Sequence, residues 1–382
     1  MSEPDKRPYL FRPITFRSVT VRNRIMVSPL CQFSAVDGLA NDWHLVFLGS
    51  RAAGGAGIVC TEVISGEARG RISPFCVGLW NDEQRDALAP IADFIAAQGA
   101  VPAIQVGHAG RKASVNAGWK GMGPVSVEDG GWPVIGPSAV RFAADFPVPA
   151  EMDQNDIDQA IAASADAARR ARQAGFKIIE VHGAHGYLIH QFLSPLSNRR
   201  GDGYGGELNN RARYLMETLD AVRTEWPDEL PVFVRLSCTD WVEGGWDLDD
   251  TVELARMLKA RGDVDLVDCS SGGSDPAQKI KIYPGYQVPF AERVKREAGI
   301  ATGAVGLIKT PDLAEEILAA GRADLVLLGR GMLGDAHWPH RAAHALGHDI
   351  EWPGQLGRGI VVFEGGGRFE PRQQESWPAH IK

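Results

Sequence analysis

The sequence has no apolar run near the roughly 18 residues that a membrane-spanning helix requires, no excess of basic charge and no closely spaced cysteine pair. Each absence removes a class of function. With 40 Lys and Arg against 48 Asp and Glu the net charge is −8, so a polyanionic partner such as nucleic acid finds no electrostatic footprint. The five cysteines (Cys31, Cys60, Cys76, Cys238 and Cys269) are odd in number, far apart and without a C-x-x-C motif, which argues against a disulfide framework or a structural zinc site. Free thiols are expected. The segment Met1 to Pro8 is charged and lacks an apolar signal core, so the cytoplasm is the expected location. What the chain does have is 382 residues, 44% of them hydrophobic and 23% charged, with 44 Gly and 23 Pro spread along it. That composition suits a compact globular protein with a large core.

Short, largely apolar runs recur between longer helical patterns: Arg24 to Ser28, Gly57 to Val63, Val101 to Val106, Lys177 to Val181, Val232 to Leu236, Asp265 to Cys269, Ile300 to Ala304 and Asp324 to Leu328. Their lack of alternation is the mark of strands buried on both faces of a parallel sheet. Helical spacing of apolar residues fills the intervals, for example Asp82 to Gln98, Asn155 to Ala174, Arg211 to Glu225, Asp249 to Ala260 and Pro311 to Ala320. Glycines at Gly99, Gly175 and Gly321 stand where a helix needs a left-handed C-terminal residue. Eight strand–helix units favour closure over an open sheet, so the expected fold is α/β, a (β/α)8 TIM barrel. Residues 1–364 are expected to form this single domain, with a long capping segment, His108 to Ala150, after strand three. Residues 365–382 are expected to form a poorly ordered tail.

Active sites of such barrels lie at the C-terminal strand ends. Here those ends carry Ser28-Pro29-Leu30-Cys31, Gln105 with His108, His182-Gly183-Ala184-His185-Gly186-Tyr187, and Arg235. His182, His185 and Tyr187 supply two neutral N–H donors and a phenol suited to protonating a basic carbanion or enolate. Metal binding, with His190 nearby, is the competing reading, and no Asp or Glu follows at a ligand-like spacing. No metal is expected. Gly-rich turns at Thr302 to Gly306 and Leu328 to Gly331 follow strands seven and eight and precede helices, the usual place for a phosphate, and Arg330 would add a bidentate contact. Arg235 cannot lose its charge, so it would stabilise negative charge on a reduced flavin or, more plainly, form a rim ion pair. Gln105 could bond a flavin pyrimidine edge. Cys31 reads equally as a thiol against such a ring and as a small core residue.

These motifs resemble those of the Old Yellow Enzyme family, in its bacterial thermophilic-like branch, from about Leu10 to Arg358. The resemblance is carried by Arg22 to Ile25 with Ser28 to Gln32, by Ile104 to Lys112, and by the strand-four run through Tyr187. It continues through Phe192 to Asn198, Tyr204 to Gly206 with Asn210-Arg211, and Pro284 to Val288. It implies a TIM barrel holding FMN, reduced by NADPH or NADH and reoxidised by an activated alkene (an enone, enal, maleimide or nitroalkene). In that scheme flavin N5 gives hydride to the β-carbon, Tyr187 protonates the α-carbon, and His182 and His185 hold the carbonyl oxygen. The implied cofactor contacts are Ser28, Pro29, Leu30, Cys31, Val63, Gln105, Arg235, Ser270, Gly306, Gly329 and Arg330. The implied substrate contacts are Phe33, His182, His185 and Arg358, the last reaching a neighbouring subunit in a homodimer or homotetramer. The chain departs from the branch at Phe33, where Tyr is usual, at Val63, where Ala is frequent, and at Ile360, where an aromatic residue is usual. Alternatives from the residues themselves are another FMN TIM-barrel dehydrogenase or oxidase, and a flavin-binding module without enone turnover.

Overall fold

A computed structural model describes residues 5–121 and 123–359. The expected tail, 365–382, and the side chain of Arg358 lie outside the described residues. Eight parallel strands close into a barrel in chain order: β1 (Ile25–Val27), β2 (Ile58–Ile64), β3 (Val101–Val106), β4 (Ile178–Gly183), β5 (Val232–Ser237), β6 (Leu266–Ser270), β7 (Thr302–Ala304) and β8 (Leu325–Leu328). Every apolar run read from the sequence is one of these strands. Around them lie the helices α1 (Asp42–Ala53), α2 (Asp82–Ala97), α3 (Gln154–Gln173), α4 (Leu188–Leu193), α5 (Leu208–Glu225), α6 (Leu248–Arg261), α7 (Val288–Ala298), α8 (Pro311–Ala319), α9 (Arg330–Gly334) and α10 (Trp338–Ala345).

Local chemistry sets the helix ends. The side chains of Asn41, Asn81, Asp153, Asp247 and Thr310 accept backbone N–H bonds at the starts of α1, α2, α3, α6 and α8, satisfying donors that have no intrahelical partner. Gly99, Gly175 and Gly321 all take φ between +69° and +95° after their helices, the conformation for which glycine was expected there.

Inside the barrel, side chains stack in layers, as alternate residues of each strand point inward. The lowest layers are apolar, with Met26, Ile58, Cys60, Ala103, Ile178, Phe233, Leu266 and Leu325 in one buried cluster. A hairpin unforeseen from the sequence, Ile14–Phe16 with Val19–Val21, contributes Phe16 to this cluster, edge-on to Phe233 with ring centroids 5.0 Å apart. Two residues further along the strands the inward positions become Gln105, Glu180, Arg235 and Asp268, and above them His182 and Ser270. Polarity therefore rises towards the C-terminal mouth.

Register breaks once, in β2: Cys60 lies opposite Ala103 but Val63 lies opposite Gln105. The extra residue is a β-bulge, which re-aims the side chains after it. The segment after β3 is not featureless; it carries two 3-10 turns and a two-residue strand, Ile135–Gly136, parallel to Ala150–Glu151. The Trp132 indole, donating to the Arg69 carbonyl at 2.7 Å, pins it to the loop after β2.

Candidate active site

One cavity of about 290 Å3 opens at the C-terminal mouth. Ser28, Pro29, Leu30, Cys31, Val63, Gln105, Arg235, Ser270, Gly306, Gly329 and Arg330 all line it, together with His182, His185 and Tyr187. Every expected cofactor contact is thus brought to one wall system. Phe33 is not: its ring packs beside the cavity against a small cluster that includes Cys76, Ala113 and Val115, edge-on to Trp119 at 5.8 Å. No role was read from the sequence for Lys309, Tyr286 or Gln287, which also line the cavity. Only closure of the barrel brings the latter two, which stand just before α7, to the cavity.

Gln105 and Arg235 on the cavity wall form a buried polar layer with Glu180 and Asp268. Arg235 Nε lies 2.7 Å from Asp268, and Gln105 Nε2 donates to Glu180 Oε1 at 2.7 Å. The ion-pair reading of Arg235 is thus met by Asp268, and the same residue lines the cavity. Burial raises the pKa of Glu180, with the Asp268 charge adding to the effect. Asp268 is raised by burial and held back by Arg235. One guanidinium offsets one carboxylate, so near neutrality the other carboxyl keeps its proton.

Above this layer the rings of His182 and His185 lie 5.2 Å apart, and those of His182 and Tyr187 5.3 Å. Burial first, then the Arg235 charge, lowers both histidine pKa values well below the ordinary value, so the imidazoles are neutral. Burial raises that of Tyr187, so the phenol keeps its proton. His185 Nε2 meets Ser270 Oγ at 2.7 Å, and buried His182 Nδ1 has no hydrogen-bond partner among the described residues. His190 is no part of this group: its Nδ1 accepts from the Gly186 N–H at 2.8 Å and its Nε2 faces Asp240 at 3.0 Å, both side chains fully buried. It acts as a brace for the turn.

The turn itself is tight. His185 has φ +59°, a rare conformation for a non-glycine residue, held by its N–H donating to Ser237 Oγ at 2.9 Å. Gly186 follows at φ +72°, where a Cβ would stand 2.1 Å from the Gly273 carbonyl oxygen. Gly186→Ala is therefore expected to lower stability by about 2 kcal/mol or more through left-handed strain and displaced backbone. Urea unfolding would measure it, and an unchanged midpoint would contradict the close approach.

Lys112, which the sequence marked only within a motif, inserts beneath this turn. Its Nζ donates to the carbonyls of His185 and Gly273, each at 2.7 Å, and sits over the rings of Phe142 and Tyr187 at 4.4 and 5.1 Å. Burial, then the Arg111 charge, moves its pKa down from 10.5 to about 7. Between these values the unfolded chain binds a proton that the folded protein does not. Stability is thus expected to rise with pH from about 7 to 10.5, by at most about 1.4 kcal/mol per unit from this group. Urea midpoints at pH 7.0, 8.5 and 10.0 should rise less in Lys112→Met than in the parent protein; equal slopes would remove Lys112 as the source.

Residues 9–349 match the sequence profile of the NADH:flavin oxidoreductase / NADH oxidase family. The chain is 48% identical over 352 residues to a protein named NADPH dehydrogenase from Geobacillus sp. strain WCH70, covering 92% of this chain and 98% of that one. It is 44% identical over 351 residues to another of that name from Listeria innocua, covering 91% and 98%. Among solved structures, morphinone reductase superposes with a TM-score of 0.75 at 26% identity over 91% of both chains. A 2-naphthoyl-CoA reductase complex superposes with a TM-score of 0.81 at 29% identity, over 88% of this chain and 52% of that one.

Proposed function

The chain belongs to the NADH:flavin oxidoreductase / NADH oxidase family, an FMN-dependent oxidoreductase family, and from that premise we propose that it is an NAD(P)H-dependent ene-reductase. The observation that carries this reading is the neutral His182–His185–Tyr187 cluster on the wall of a cavity whose far end is built from the loops after β7 and β8.

The residues fit FMN. Gly306, at φ +124°, Gly329 and Arg330 offer close backbone approach and a guanidinium for a phosphate. Ser270, the last residue of β6, lines the same cavity. Ser28 to Cys31, Val63, Gln105 and Arg235 would meet the ring, with Arg235 balancing negative charge there. Once bound, the flavin supplies hydride, taken from NADPH or NADH and given to the β-carbon of an activated alkene.

The chain's own groups do the rest. His182 and His185, held neutral by burial, donate N–H bonds to the substrate oxygen. Their N–H dipoles, aimed at the oxygen, stabilise its charge as it develops. Tyr187, its proton retained by burial, hands that proton to the α-carbon. Lys112 fixes the carbonyl of His185 and so the turn that presents all three groups. Enones, enals, maleimides and nitroalkenes share the required feature, an electron-withdrawing oxygen conjugated to the double bond.

An anaerobic absorption titration tests this reading. Addition of NADPH to the purified yellow protein should bleach the flavin band, and 2-cyclohexen-1-one should restore it. Bleaching without return would replace alkene reduction by another reaction of an FMN barrel. A colourless protein that FMN cannot reconstitute would overturn the cofactor assignment.

A further inference from the structure

The bulge in β2 has an effect outside the barrel. It leaves Val63 lining the cavity and sets Glu62 against α1, where Glu62 Oε1 lies 3.3 Å from His44 Nε2. His44 Nδ1 accepts from the Asn41 N–H at 3.1 Å, which holds the ring with Nε2 turned towards the Glu62 carboxylate. The Gln32 N–H also donates to Oε1, at 3.3 Å. Glu62 Oε2 is buried and has no hydrogen-bond partner among the described residues. An unpartnered buried carboxylate oxygen is costly and calls for a ligand or a proton.

Two thiols stand beside it. The sulfurs of Cys31, from the loop after β1, and Cys76, from the loop after β2, and a Glu62 oxygen all lie within 4.8 Å of one another. A tetrahedral zinc ion with Zn–S near 2.3 Å and Zn–O near 2.0 Å places its donors about 3.5 to 3.8 Å apart. Small side-chain rotations would bring the three atoms to that spacing. The lack of any C-x-x-C motif, which argues against zinc at the sequence level, does not bear on this group, because its ligands come from three separate segments.

We propose that Cys31, Glu62 and Cys76 form a three-ligand site for a thiophilic d10 cation of the zinc class, with His44 orienting the carboxylate. Binding exchanges two thiol protons for one divalent ion, giving a bis-thiolate carboxylate complex whose fourth position is left to water. Because Cys31 also lines the main cavity, the same event withdraws its sulfur from the wall where the flavin ring is expected. The site is therefore a point at which cation supply acts on the flavin's surroundings. The ligand set itself does not depend on flavin being present.

Cadmium titration of the flavin-loaded, thiol-reduced protein under anaerobic conditions tests the site. The expected result is a thiolate-to-cadmium absorption band in the ultraviolet that saturates at one ion per chain, with release of two protons per ion and a shift of the visible flavin band. Cys76→Ser should remove the ultraviolet band. Glu62→Gln, which keeps the shape of the side chain, should weaken affinity by about ten-fold or more. The proposal fails if the parent protein gives no band at micromolar cadmium. It also fails if the band persists at full size in Cys76→Ser, which would assign it to the other close thiol pair, the buried Cys238 and Cys269. Should Cys76→Ser not fold, an unchanged affinity in Glu62→Gln decides against it. The ultraviolet band needs no flavin, so a colourless protein that still binds cadmium would separate failure of the functional reading from failure of this one.

Discussion

Replacing Tyr187 by phenylalanine is expected to slow alkene turnover by about 10²- to 10⁴-fold, the usual contribution of a positioned general acid, while NADPH bleaches the flavin at nearly the parent rate. The split follows from geometry. The phenol lies on the cavity wall beside His182, and burial keeps its proton in place. Removing one oxygen preserves the ring, its packing and its contact with Lys112. Hydride uptake by the flavin needs no proton from this group, whereas protonation of the α-carbon does. Stopped-flow absorbance measures the two half-reactions separately. Equal slowing of both would make Tyr187 a structural residue, and an unchanged oxidative half-reaction would end its assignment as the proton donor.

Arg235→Met should produce the largest stability effect of any single substitution considered. The guanidinium, 7% exposed, lies against the fully buried Asp268 and lowers the pKa of both Asp268 and Glu180. Without it two carboxyls remain in the barrel with no cation. Breaking a buried pair from one side costs about 3 to 5 kcal/mol, because a charge is left uncompensated. Asp268→Asn added to Arg235→Met should recover part of that loss, and the double-mutant cycle gives the coupling. On the proposed function FMN affinity should also fall in both variants, since the guanidinium on the cavity wall is gone in each. A single Arg235→Met variant as stable as the parent would refute the account of the layer. A double variant no better than the single one would show that Glu180, rather than Asp268, bears the cost.

Much of the site was legible because its parts are local. The run His182 to Tyr187 places three hydrogen-bonding side chains after one strand, and the glycines after β7 and β8 announce tight strand-to-helix turns. Positions such as Gln105 and Arg235 follow from counting two residues along a strand. Phe33 shows where counting stops. The resemblance makes it a substrate contact; its backbone stands at φ +48° and its ring packs in one cluster with Cys31, Val63 and Tyr187, edge-on to Trp119, and no periodicity encodes that turn.

By itself the sequence determined the eight strands, the helix ends and the sign of the chemistry, for these arise from short-range preferences: apolar runs, capping side chains, left-handed glycines and the fixed alternation of a strand. Only the tertiary structure decided which distant groups meet. Lys112 reaches the carbonyls of His185 and Gly273, Arg235 pairs with Asp268 across adjacent strands, and Cys31, Glu62 and Cys76 converge at a bulge. These contacts depend on strand register and on closure of the barrel, which are set by packing summed over the whole chain, so no local window of residues contains them.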